Sequence, residues 1–172
     1  ESSFLIALVT ISMALTPLCM RLVPFLIRHD EAEQMDEDFE GANSQVLMIG
    51  FSRMGQIASQ ALLAGGCGVT ILDNSAQRIR QAENFGFRIY FGDGTRKDML
   101  RMAGIESAKL VAVTTQHRDT TDKIVEIIAS EFPDIPIYTR SYDRGHALSL
   151  LEKYDLWQIR ETFESALVMG RA

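Results

Sequence analysis

Short β-branched runs that alternate with helical stretches from Val46 onward predict an α/β fold built on a doubly wound parallel sheet. The runs VLMIGF, GVTILD, FRIYFGD, LVAVTT and IPIYTR are largely apolar, as strands buried on both faces require. A third observation is the turn GFSRMG, Gly50 to Gly55, which closes the first run and opens a helix.

Taken in order, the chain begins with Ser2 to Met20, an uncharged and mostly apolar stretch. At 1.5 Å rise per residue it is long enough to cross a bilayer, so a transmembrane helix is expected. A secretory leader would have a basic start and a small-residue cleavage site, and this stretch has neither. Pro17 should kink the helix, with Thr10, Ser12 and Thr16 available to satisfy the freed backbone carbonyl. Arg21 and Arg28 bracket LVPFLI, which places that end on the cytoplasmic side and suggests an interfacial piece broken at Pro24. Residues 1–28 therefore read as the end of a membrane domain, its last helix followed by an interfacial segment. Residues 29–45, HDEAEQMDEDFEGANSQ, carry seven acids and read as a solvated, self-repelling linker.

Residues 46–172 form the alternating domain. Helices are expected to start near Met54, Ser75, Thr95, Arg118 and Asp143, with Thr95 suited to an N-cap. LWQI is a weaker sixth strand, and RETFESALVMGRA a final helix. The net charge of −6 is not spread evenly. Eight acids against Arg21 and Arg28 fall before Val46, whereas fifteen acids balance fifteen Lys and Arg after it. The globular part is neutral and has no basic stripe, so nucleic acid is not an expected partner. Cys19 and Cys67 have neither metal-ligand spacing nor an obvious disulfide partner and read as small apolar residues, in keeping with a reducing compartment.

In doubly wound sheets, ligands bind at the carboxyl ends of the strands. Gly50 permits the tight turn there, and Gly55 lets the helix pack close to the sheet. The position between them, where a backbone should approach phosphate, is Ser52, flanked by Arg53 and Met54. Ser52 crowds a pyrophosphate, which favours AMP over NAD(H), yet its hydroxyl could equally donate to a phosphate at the helix start. Asp73, with Asn74 after it, ends the second run where an acid accepts ribose hydroxyls and disfavours a 2′-phosphate. Asp93 and Gly94 follow the third run and Thr114 the fourth. Asp93 could face the nucleotide or cap a turn. This Rossmann-like pattern predicts an adenine-nucleotide site.

An oxidoreductase would need a proton donor or base beside the nicotinamide, and usually a substrate domain. His29, His117 and His146 stand alone, and the sequence shows no Ser-His-Asp order, metal spacing or P-loop. The expectation is a domain that binds and switches rather than an enzyme.

The segments VLMIGFSRMGQ, ILDNS, YFGDGTRKDMLRMAG and RETFESAL, with the SMALTPL helix, resemble the Kef glutathione-gated potassium efflux systems, and in particular their cytoplasmic KTN, or RCK, regulatory domain. The resemblance implies a homodimer, a bound adenine nucleotide and control of potassium–proton antiport by a multi-pass protein of the bacterial inner membrane. It further implies that glutathione holds the system shut and its conjugates open it. The transmembrane antiporter domain of the same chain and a quinone-reductase-like ancillary subunit are the implied partners. Arg53 falls where the family supplies an arginine for glutathione; Arg140 and Arg160 are further candidates. Phe85 is a candidate sensor of the conjugate, or else a core aromatic. Alternatives are the RCK gating domain of a potassium channel and a membrane-tethered NAD-dependent oxidoreductase.

Overall fold

A computed structural model describes residues 4–7, 9–16, 38–83 and 87–172. The chain divides into two units, Glu1–Gln34 and Met35–Ala172. In the first, residues 4–7 and 9–16 are helical. Thr10 and Thr16 hydroxyls donate to the carbonyls of Ile6 and Ser12 at 2.8 and 2.9 Å, which satisfies both groups within an apolar helix. Among the described residues no helix is long and apolar enough to cross a membrane. Pro17 to Met20 and the LVPFLI piece lie outside those residues.

The second unit alternates as the sequence predicts. Strands β1 (Val46–Ile49), β2 (Val69–Asp73), β3 (Ile89–Phe91), β4 (Leu110–Val113), β5 (Ile137–Ser141) and β6 (Trp157–Arg160) form one parallel sheet in the order β3-β2-β1-β4-β5-β6. The helices are α1 (Arg53–Ala64), α2 (Ala76–Glu83), α3 (Lys97–Met102), α4 (Arg118–Glu131), α5 (Arg144–Lys153) and α6 (Glu161–Arg171). A 3-10 turn, Ile105–Ser107, leads into β4 and has no counterpart among the sequence expectations.

Strand pleating divides the core in two. Leu47 and Ile49 face a cluster with Leu100, Val111, Ile124 and Ile128, whereas Met48 faces the opposite side with Phe51, Ile71 and Ile79. Two corrections concern local signals. Thr95 does not cap α3, whose N-cap position is Arg96; Thr95 is instead turned back onto Asp93. The linker also docks earlier than expected. Phe39 stacks on Tyr90 at 5.5 Å, and the Tyr90 hydroxyl donates to the Glu40 carbonyl at 3.0 Å. Packing one aromatic against Tyr90 outweighs the solvation of its acidic neighbours, so the chain joins the domain at Phe39, several residues before Val46.

Helices α1 and α2 follow β1 and β2 and cover only that half of their sheet face. Beyond β4 the same face presents Tyr138 and Trp157, 45% and 52% exposed, with ring centroids 5.0 Å apart. No residue of α6 is buried, and Phe163, Leu167, Val168 and Met169 are exposed.

Candidate nucleotide site

The strand order reverses between β1 and β4, and the crevice at such a switch point is the ligand position of this architecture. A cleft of about 220 Å³ lies there, bordered by Gly50, Ser52, Asp73, Arg78, Asp93 and Thr115. Its floor is the turn after β1. Gly50 has φ +94, and a Cβ on it would lie 2.9 Å from the Thr115 backbone nitrogen. A Cβ on Gly55 would lie 2.5 Å from the Gly50 carbonyl oxygen. Both glycines are thus required by geometry, one by dihedral angle and the other by close approach. Ser52 has an ordinary φ of −70 and is the N-cap of α1; its Oγ accepts a long hydrogen bond from Gly55 N–H at 3.4 Å. The serine keeps the helix start, with its unpaired amides and positive dipole end, beside the cleft.

Asp73 is 4% exposed and anchors the site. Its Oδ2 accepts from Phe51 N–H at 2.7 Å and its Oδ1 from Ser75 N–H at 2.7 Å. Arg78 reaches it from α2, Nη2 lying 2.9 Å from Oδ1 and Nε 3.1 Å from each oxygen. Arg78 had no sequence signal: it reads as a solvated arginine on a polar helix. Asn74 is exposed and touches only the edge of this network, Arg78 Nη2 to Asn74 Oδ1 at 3.5 Å. Asp93 caps a turn at the edge of the cleft. Its Oδ1 accepts from Thr95 N–H at 2.9 Å and Oγ1 at 2.8 Å, and the residue borders the cleft beside Gly94.

On the β4 side, the pleat decides between neighbouring threonines. Thr114 is buried and donates to the Gly50 carbonyl, pinning the glycine turn to β4; it is Thr115 that borders the cleft. His117, at the N-cap position of α4, and Thr120 also border it. Arg140 leaves β5 and donates from Nη1 to the Thr115 carbonyl at 3.2 Å. Its Nε lies 2.9 Å from Glu161 Oε2, an ion pair off the hydrogen-bond angle, so one guanidinium joins the cleft wall to the first residue of α6. His146 is 1% exposed. Its Nδ1 accepts from Tyr142 N–H at 3.0 Å, which puts the ring proton on Nε2, 2.8 Å from Asp122 Oδ1 of α4. It is a structural tie between the β5–α5 turn and α4.

The remaining candidates are dispersed. Arg53 opens α1 and is exposed, and Met54 is half-buried; neither borders the cleft. Arg160 lies over the Phe163 ring at 3.9 Å, at the start of α6. Phe85 is outside the described residues.

A parallel sheet with a helix start at its switch point and an acid ending the second strand defines an α/β domain of the Rossmann type. The chain belongs to the TrkA-N domain family, which matches residues 46–157. It is a homologue of Kef-type potassium-efflux proteins: the glutathione-regulated potassium-efflux system protein of Haemophilus influenzae is 38% identical over 179 residues. That alignment takes in 100% of this chain but 29% of the relative, so the chain spans less than a third of its length. The C-terminal domain of Kef from Shewanella denitrificans, in an AMP-bound form, is 34% identical with a TM-score of 0.65, over 73% of this chain and 75% of that one. The GsuK channel bound to NAD shares the fold, with a TM-score of 0.65 at 21% identity over 74% of this chain and 23% of that one.

Proposed function

We propose that this chain is the nucleotide-binding regulatory part of a Kef-type potassium-efflux protein, and that it gates potassium–proton antiport without transforming its ligands. The observation that carries this reading is the cleft at the β1–β4 switch point, bounded by the Gly50 turn, the start of α1 and Asp73. AMP suits it better than NAD(H). About 220 Å³ is below the usual range for drug-sized ligands, Ser52 occupies the pyrophosphate approach, and the 34%-identical Shewanella domain is an AMP-bound form.

Residues 1–28 are assigned to the end of the membrane domain, in a bacterial inner membrane with the regulatory domain in the cytoplasm. A second copy of the chain is the occupant proposed for the open half of the sheet, where Tyr138, Trp157 and the apolar residues of α6 are exposed. A quinone-reductase-like ancillary subunit remains part of this reading. Glutathione and its conjugates act as regulators through Arg53, whose exposed guanidinium can hold a carboxylate bidentately. Arg140 fits a different role. Its bonds to Thr115 and Glu161 connect the cleft wall with α6, the route by which ligand state would bias the packing of two copies. A ligand shifts that packing only by binding the two states unequally.

The test is potassium efflux from cells carrying the full-length protein, with and without an electrophile that forms glutathione conjugates. Arg53→Ala should lose activation by conjugate while AMP affinity stays within about threefold, since Arg53 lies outside the cleft. Full activation in that variant would remove Arg53 from the glutathione site.

A further inference from the structure

Asp73 ends β2 where a ribose diol is expected, but its carboxylate is already full. An ionised carboxylate offers about four acceptor sites. Phe51 N–H and Arg78 Nε take those of Oδ2, and Ser75 N–H and Arg78 Nη2 take those of Oδ1. None is left for two ribose hydroxyls. The two amides belong to the turns after β1 and β2 and cannot leave without unmaking them. The other two donors belong to one side chain.

That side chain has somewhere to go. Arg78 is 37% exposed at its side chain and borders two cavities, the nucleotide cleft and a groove of about 360 Å³ on its far side. The groove is lined by Phe51, Phe87 and the amides of Gln56, Gln60 and Gln81, which together can accept from a guanidinium and pack its stem.

We propose that Arg78 is a displaceable latch on the ribose position. The diol of an adenine nucleotide takes over two acceptor sites of Asp73 as the guanidinium turns out toward the groove. This rests on the adenine-nucleotide reading of the cleft and adds a specificity determinant to it. The exchange gives up the guanidinium's charge and its forked geometry for two hydroxyl donors to the same carboxylate, so the bonds the diol gains are offset by the pair that is lost. In the unsubstituted chain the diol therefore contributes little net affinity, and recognition falls on the phosphate and base. Once the latch is removed, the diol contributes fully.

The experiment is calorimetric titration of the purified chain, Arg78→Gln and Arg78→Lys with AMP and with 2′,3′-dideoxy-AMP. The unsubstituted chain should prefer AMP by no more than about threefold, and Arg78→Gln by about tenfold or more, with AMP itself bound more tightly than by the unsubstituted chain. Arg78→Lys should lie between them, since an ammonium cannot fork both oxygens. If Arg78→Gln fails to fold, the lysine variant and the two ligands on the unsubstituted chain still decide. Tenfold discrimination by the unsubstituted chain, or weaker AMP binding by folded Arg78→Gln, overturns the latch alone. So does tighter binding of adenosine 2′,5′-bisphosphate than of AMP by the unsubstituted chain, because Arg78 would then stay to hold the 2′-phosphate. Absence of AMP binding by all three proteins overturns the nucleotide reading and the latch with it.

Discussion

Gly50→Ala is expected to lower the unfolding free energy by about 3 kcal/mol, the sum of a positive-φ penalty of about 1–2 kcal/mol and an overpacking penalty of about 1–3 kcal/mol. The first arises because φ is +94, where an L side chain is strained. The second arises because the added Cβ would meet Thr115 Cγ2 and backbone nitrogen, both at 2.9 Å. Thr115 cannot yield freely. The neighbouring Thr114 N–H is bonded to the Ile49 carbonyl at 2.8 Å, and Arg140 holds the Thr115 carbonyl. For a chain of this length the thermal midpoint should fall by about 6–12 °C. Urea and thermal unfolding of the variant measure it, and an unchanged midpoint would mean that the turn relaxes without cost.

Asp73→Ala should cost about 2–4 kcal/mol, mostly through donors left without acceptors. Phe51 is 3% exposed, so its N–H has no ready access to water when the carboxylate is removed. The Ser75 N–H loses its partner as well. The ion pair with Arg78 adds less, because that side chain is more than a third exposed and screened by solvent. Arg78→Gln should accordingly cost under about 1 kcal/mol. Chemical denaturation of both variants separates the two terms. Equal losses would place the stabilisation in the ion pair and not in the two amides.

The contrast between these two residues shows what a sequence can carry. The turn at Gly50 and the place of Asp73 were legible because they follow from local order, a glycine after an apolar strand and an acid ending the next one, whereas the partners of Asp73 were not. The five stronger strands and their helices were legible for the same reason, since a strand buried on both faces must be apolar throughout. Arg78 was not legible. Its position in AQRIRQAE marks a polar helix face, and only the packing of α2 against β2 turns it onto Asp73. Thr114 and Thr115 are adjacent and alike in sequence, and the pleat alone assigns one to the core and the other to the cleft. Phe39 was hidden by its acidic neighbours, because its partner Tyr90 lies far along the chain, beyond β2 and α2. The open half of the sheet is likewise a property of chain order, since among the described residues of this unit only α1 and α2 pack on that face.

The most direct test of the central claim is a thermal-shift titration of this chain with AMP. A ligand present at about a hundred times its dissociation constant, bound only by the folded state, adds about 2.7 kcal/mol. That corresponds to a midpoint raised by about 5–10 °C for a domain of this size. The account predicts a saturable rise of this order with AMP and a smaller one with NADH at the same concentration. A folded, cooperatively melting chain whose midpoint is unmoved by millimolar AMP and NADH alike would contradict it.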